Sequence, residues 1–229
     1  MFLMEGPRFV SDYISRETPE LILISDMAGS LSGSVADKAD GMNIRVLEIP
    51  EKLFNDISDT KTSQGITAVC PLPSLNIDSL PRKGVFLLLD GISDPGNMGT
   101  LIRSAAAFGC TAIVAGRGSC CPFAPKVTRA AAGLNSTVPI IFDTDLTAFM
   151  QSNSHAFEFI GADASGGEIN RLRNLEKCLG LVIGSEAHGI SEETGKHLSG
   201  TVAIPMIGGV ESLNAAVTAS ILLYELSSG

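Results

Sequence analysis

The sequence predicts an α/β protein built around a parallel sheet, and three observations carry that expectation. Beyond a proline-rich stretch the chain alternates short apolar runs with helical segments. The apolar runs are continuous rather than alternating, as strands covered on both faces must be. No run reaches the roughly 18 apolar residues that a membrane helix needs. The strand-like runs are Val85–Asp90, Ala112–Ala115, Val138–Phe142, Phe157–Ala162, Leu179–Gly184 and Val202–Pro205. Helical stretches fall between them near Asn97–Phe108, Pro125–Ala132, Leu146–Ser152, Glu192–Leu198 and Ser212–Leu226. Upstream, Leu21–Ser25, Asn43–Ile49 and Gly65–Cys70 read as short strands. Gly6–Ile14 and Pro50–Ser58 read as helices, with Pro50 suiting a helix start. The segment GSLSGSVADKADG, residues 29–41, reads as a mobile loop. Pro71, Pro73 and Pro81 mark a connection between two units. The expected division is residues 1–72, a linker over 73–84, and a second domain over 85–229.

Composition bounds the function. With 45% hydrophobic and 18% charged residues in 229, the chain can bury a core. The N-terminus MFLMEGPRFV has no basic segment and meets an acid at Glu5, so a cytosolic chain is expected rather than a secreted one. Cys70, Cys110, Cys120, Cys121 and Cys178 are odd in number and follow no disulfide or zinc spacing. The vicinal pair Cys120–Cys121 reads as plain reduced thiols. His188 and His197 lack metal-ligand spacing. A net charge of −9 argues against a nucleic-acid partner. Its distribution argues the other way: Pro95–Phe142 holds no acid but contains Arg103, Arg117, Lys126 and Arg129. That run would put one cationic face on a negative body, although chance clustering explains the charges equally well.

In parallel sheets, ligands bind where strands end and loops lead into helices. Here those loops follow Asp90, Ala162, Gly184 and Pro205. The first lies in LLLDGISDPGNMGTLIRSAAAFG, where Asp94-Pro95-Gly96 is a turn, Asn97 a suitable N-cap and Gly109 a suitable C′ residue. Gly99 would let another backbone or a ligand approach. Arg103 lies less than two turns beyond Asn97. The bland alternative is an ordinary strand-turn-helix unit with a solvated arginine. The dinucleotide fingerprint G-x-G-x-x-G is absent, which removes the strongest support for a nicotinamide enzyme. The second loop, LGLVIGSEAHGIS, carries Glu186 at its centre. A carboxylate there makes a poor phosphate cradle and better suits hydroxyls or an ammonium group. His188 beside it could serve as a base, but a loop-exposed histidine is the commoner case. The third, VAIPMIGGVESLNAAVTASILLYEL, closes a strand at Pro205. Met206–Gly209 then forms an apolar loop, and Ser212 or Glu211 is placed to cap a long helix. Asn214 stands at the start of that helix. Apolar residues cover most of its circumference, as expected of a helix buried in a domain interior or, the favoured reading, at a subunit interface.

Together and in this order, the segments resemble the three signature motifs of the SpoU (TrmH-like) family in the SPOUT class of RNA methyltransferases. The residues are Asp94-Pro95-x-Asn97-x-Gly99-x-x-x-Arg103, then Gly184-x-Glu186-x-x-Gly189, then Ile204-Pro205-Met206 with Ser212-Leu213-Asn214. EGPRFV and KTSQGITAV resemble that family's N-terminal RNA-binding domain. The resemblance implies a small L30e-like α/β domain before a parallel-sheet domain with a deep trefoil knot, an exception to the rule against knotted connections. It implies S-adenosylmethionine bound in a bent form, a homodimer and no metal. Ala162, Gly184, Ile204, Met206 and Leu213 would hold the cofactor, largely through backbone groups. Asn97, Arg103, Glu186, Ser212 and Asn214 would be the catalytic or orienting residues. RNA would be gripped by Arg8, Arg103, Arg117, Lys126 and Arg129. The expected acceptor is a ribose 2′-hydroxyl, in ribosomal (23S) RNA rather than transfer RNA.

Chemistry constrains Arg103: a guanidinium with a pKa above about 12 is a poor general base, so gripping a phosphate is its better role. Two departures stand out. In the family a basic stretch commonly precedes the EGPR-like segment, whereas Met1 sits almost on it here, so either an upstream start or a weaker RNA grip is expected. Motif three reads SLNAAVTAS, with Ala215 and Ala216 where larger or polar residues are common. Two alternatives remain at this point: a non-catalytic RNA binder of the same fold, and a nucleotide-dependent metabolic enzyme.

Overall fold

The computed structural model describes residues 1–29, 31–60, 62–73, 75, 77, 80–81, 83–172, 177–207 and 212–227. Two sheets organise the chain. The first has the order β1 (Phe2–Glu5), β4 (Ile66–Cys70), β2 (Leu21–Ser25), β3 (Val46–Ile49), with α1 (Pro7–Ile14), α2 (Leu31–Gly41) and α3 (Glu51–Ile57) around it. β4 runs antiparallel to both β1 and β2, while β2 and β3 are parallel. The expected mobile loop over residues 29–41 is corrected here, because residues 31–41 form α2. Its buried Val35 and Ala39, four apart on one face, pack into the core, and that burial outweighs the weak helix propensity of glycine and serine. Pro50 is the N-cap of α3 rather than its first helical residue.

The second sheet is wholly parallel, in the order β10 (Gly200–Val202), β8 (Phe157–Gly167), β9 (Cys178–Gly184), β5 (Val85–Asp90), β6 (Ala112–Gly116), β7 (Ile140–Thr144). The continuous apolar runs have a direct cause. Leu87, Leu89, Ile113, Ala115, Leu181 and Ile183 join one core, on the side of α4 (Pro95–Ala107), α5 (Pro125–Ala130) and α8 (Ala215–Ser227). Their neighbours Phe86, Leu88, Ala112, Val114 and Val182 join a second core with Leu146 and Met150 of α6 (Leu146–Asn153). β5, β6 and β9 therefore each bury both faces.

The two sheets share the first core. Phe2 of β1 meets Phe123 at 5.1 Å between ring centroids, and Gly133 passes close to Met4 and Phe9. A polar latch closes the same seam. Arg129 on α5 donates to Asp59 at 2.7 Å, and Glu5 nearby accepts hydroxyl bonds from Ser58, Thr60 and Ser63 at 2.7, 2.5 and 2.8 Å. Burial pushes the Glu5 carboxyl up, but the three hydroxyls and the Arg129 charge outweigh it and hold it below the usual range. A carboxylate with a depressed folded pKa stabilises the protein above its unfolded value, and that stability is lost as pH falls through the folded one. Glu5→Gln is thus expected to cost about 1–2 kcal/mol at neutral pH. It should also flatten the fall in melting temperature below roughly pH 4, near the ordinary glutamate value. Thermal unfolding across a pH series of both proteins checks this, and parallel curves would refute it.

Candidate active site

Motif one is built on the start of α4. Asp94, not Asn97, is the N-cap: its Oδ1 accepts the Asn97 backbone N–H at 2.7 Å, with Pro95 in the first turn. Asn97 thereby sits within the first turn with its side-chain amide free for other work. Gly99 resolves its two sequence alternatives in favour of backbone, since a Cβ there would lie 2.3 Å from the Ala130 Cβ and 2.7 Å from the Ala130 carbonyl carbon. The close crossing of α4 and α5 therefore requires it.

Motif three supplies the next group. Ser212 does not cap α8, and the expectation for Glu211 lies outside the described residues. The cap is Asn214, whose Oδ1 accepts the N–H groups of Ala216 at 2.9 Å and Val217 at 3.2 Å. Capping settles the orientation of two amides. With its oxygen turned to the helix, Asn214 donates through Nδ2 to Asn97 Oδ1 at 3.0 Å. Asn97 must then turn its own Nδ2 outward, and it donates to Glu186 Oε1. The three motifs are thus joined in one relay, Asn214 to Asn97 to Glu186. Glu186 is presented by a tight turn in which Ser185 and Gly189 exchange backbone bonds of 3.0 and 2.8 Å. Asp90, at the end of β5, accepts the Ser191 N–H at 2.8 Å and ties the far side of that turn to the sheet.

Beside the relay lies a cleft of about 300 Å³. All five residues expected to hold a cofactor line it, namely Ala162, Gly184, Ile204, Met206 and Leu213, together with Glu186 and Ser212. Asp163, Ile183, Val202 and Thr218 also line it. Sequence reasoning singled out Ala162 and the loop after it but passed over the Asp163 carboxylate, and its position next to Ala162 was the available signal. Thr218 carried no such signal, because it enters only through the path of the chain into α8. Apolar side chains, glycine backbone and a few polar groups line the cleft together, as in small-molecule sites generally.

Not every expected residue converges. Arg103 is exposed on α4 and does not line the cleft. His188 is exposed, with only its backbone N–H bonded to Ser185 Oγ at 3.2 Å. The cations of the acid-free run are partly engaged elsewhere: Arg117 pairs with Asp145 at 3.4 Å and Arg129 with Asp59. Lys126 is exposed and close enough to Asp59 to help depress its carboxyl, after the larger effect of the Arg129 hydrogen bond. Arg8 is exposed on α1. No cluster of metal-ligating side chains occurs among the described residues. No helix among them is long and apolar enough to cross a membrane.

A parallel α/β sheet with a small-molecule cleft at its strand ends, joined to a smaller mixed sheet, defines a ligand-binding class that many functions share. Comparison with known proteins narrows it. The model of the SpoU rRNA Methylase family matches residues 84–224, and the chain belongs to that family. The model of the MRM3-like substrate binding domain matches residues 1–68. The 23S rRNA (guanosine(2553)-2′-O)-methyltransferase RlmP of Bacillus subtilis (strain 168) is 30% identical over 226 residues, covering 98% of this chain and 88% of that protein. A putative RNA methyltransferase of the TrmH family from Porphyromonas gingivalis shares the fold with a TM-score of 0.83 at 31% identity, covering 98% of this chain and 88% of that one. The SpoU methyltransferase AviRb from Streptomyces viridochromogenes, in complex with AdoMet, superposes with a TM-score of 0.82 at 23% identity, covering 99% and 89%.

Proposed function

We propose that this chain is an S-adenosylmethionine-dependent RNA methyltransferase that modifies a ribose 2′-hydroxyl, with ribosomal RNA as its substrate class. The observation that carries the reading is the Asn214–Asn97–Glu186 relay set against the cleft. Nothing in a strand-turn-helix scaffold requires three loops from distant parts of the chain to share one hydrogen-bonded chain. A pure RNA binder has no use for it either.

The cleft fits S-adenosylmethionine in kind. Apolar walls at Ile183, Val202 and Leu213 suit an adenine ring, while exposed backbone at Gly184 and Ile204 can read its edge. Bound there, the cofactor supplies an electrophilic methyl on a sulfonium. The protein's part is to place the acceptor. Glu186 offers its second carboxylate oxygen to a hydroxyl, and Asn97 fixes its direction from behind. Arg103 grips a phosphate of the RNA. Holding a nucleophile in line in this way can contribute about 7–11 kcal/mol.

Residues 1–72 form the RNA-binding domain, 73–84 the linker and 85–229 the methyltransferase domain. Ile204, Met206, Ser212 and Leu213 line the cleft beside Ala162 of β8 and Gly184 of β9, and α8 packs on α4 through a Ser104–Ser220 bond of 2.6 Å, which supports a trefoil knot. The enzyme works in the cytoplasm as a homodimer without a metal. Val217 and Tyr224, seven residues apart on one face of α8, are 44% and 53% exposed, which supports a partner there.

The test is direct. Purified protein, tritiated S-adenosylmethionine and unmodified ribosomal RNA should give label at one ribose, and light scattering at micromolar concentration should give a dimer. Label confined to transfer RNA would move the substrate; absence of cofactor binding would sink the enzyme reading.

A further inference from the structure

The cleft has a lopsided charge. Among the described residues that line it, Asp163 and Glu186 are the only ionisable ones, and no Lys, Arg or His joins them. Glu186 is committed to Asn97, but Asp163 is not.

The fold delivers Asp163 to the cleft by an irregularity. β8 pairs with β10 at Ile160–Gly200 and Gly161–Thr201, then resumes only at Gly167–Val202. Residues 162–166 of β8 therefore bulge out of its ladder with β10, and Gly166 is pressed so close to β10 that a Cβ would lie 2.4 Å from the Val202 carbonyl carbon. Within this bulge Asp163 Oδ1 accepts both the backbone N–H and the hydroxyl of Ser165, at 2.8 and 2.5 Å. Those bonds fix the carboxylate and leave Oδ2 with no protein donor among the described residues. Because β9 stands between β8 and β5, the bulge lies on the flank of the cleft away from Asn97.

We infer that Asp163 anchors the α-ammonium group of S-adenosylmethionine and so reads the amino-acid end of the cofactor. This rests on the cofactor reading above and assigns a contact within it. A fixed carboxylate with an open oxygen calls for a donor, and a charged donor binds about twice as strongly as a neutral one. In a cleft with two carboxylates and no cation, an ammonium also relieves their repulsion. Backbone groups can read adenine and ribose but carry no charge, so discrimination at the charged end falls to this side chain. The rival partner is the neutral ribose diol, which carboxylates bind in dinucleotide folds.

Calorimetric titration of the full chain distinguishes them, using S-adenosylmethionine, S-adenosylhomocysteine and 5′-methylthioadenosine. The last keeps base, ribose and sulfur but lacks the amino-acid end. Asp163→Asn keeps the shape and the Ser165 bonds. It is expected to weaken the first two ligands about tenfold each and to leave methylthioadenosine within about twofold. Ser165→Ala, which loosens the carboxylate without removing it, should show a smaller loss in the same pattern. Equal losses for all three ligands would assign Asp163 to the ribose and overturn the inference. So would unchanged affinities in both variants, or a loss confined to the sulfonium ligand. A wild-type chain that binds none of the three overturns the cofactor reading itself, and this inference with it.

Discussion

Replacing Arg103 with alanine is expected to lower the methylation rate roughly a thousandfold while S-adenosylmethionine affinity stays within about threefold. The split follows from where the side chain stands. Arg103 is exposed on α4, lines no part of the cleft and forms no ion pair with a described acid. It is therefore available to a phosphate, not to the cofactor. A guanidinium stays protonated at neutral pH, so its loss removes positioning and charge rather than a base. Misplacing a nucleophile by about 1 Å can cost a hundredfold on its own. Arg103→Lys should recover only part of the rate, because an ammonium keeps the charge without the planar fork that grips phosphate in two places. Single-turnover rates with saturating RNA, set beside calorimetric cofactor affinities, read the two quantities separately. A cofactor affinity reduced more than tenfold would move Arg103 into the cofactor site, and an unchanged rate would remove it from the mechanism.

The sequence made some of this legible and not the rest, for physical reasons. The central strands were readable because residues buried on both faces leave continuous apolar runs: β5 is Val85–Asp90, as expected from the sequence. Edge strands were less clear. β10 ends at Val202 rather than Pro205, since proline has no N–H for the ladder. β1 was not expected at all, because its four residues, FLME, are too short to show a period. α2 was hidden because Gly29–Gly41 is polar and glycine-rich, and only Val35 and Ala39 reveal its buried face. At the site, the three motifs, read through their resemblance to the SpoU family, were enough to gather Glu186, Asn97 and Asn214. They could not show which residue caps which helix. That distinction decides the chemistry, because the Asp94 cap frees the Asn97 amide and the Asn214 cap fixes how it turns. The acid-free run was legible as charge, but its pairing with Asp59 and Asp145 depends on residues distant in sequence.

Gly184→Ala is expected to weaken S-adenosylmethionine binding more than about thirtyfold and to destabilise the fold by about 1–3 kcal/mol. A Cβ at this position would lie 2.1 Å from the Gly189 carbonyl carbon, 2.2 Å from the Ile190 nitrogen and 2.3 Å from the Gly189 oxygen. All three are backbone atoms, so no rotamer change can make room. Neither side can readily withdraw. Gly184 ends β9, which is held between β5 and β8, and the opposing turn is closed by the two Ser185–Gly189 bonds. Ser191 is pinned to Asp90 just beyond. The turn must therefore lift away, carrying Glu186 off Asn97 and moving one wall of the cleft. Both the cofactor site and the relay are lost through a single methyl group. Gly195→Ala, at the end of α7 (Glu192–Gly195), makes the control, because a Cβ there meets nothing within 4 Å. It should leave affinity unchanged and stability equal or slightly higher, as alanine favours the helical state over glycine by about 1 kcal/mol. Calorimetry and thermal unfolding of the two variants test the account together. If Gly184→Ala kept wild-type affinity and melting temperature, the turn would not be packed on that glycine, and the geometry that orders the site would be wrong.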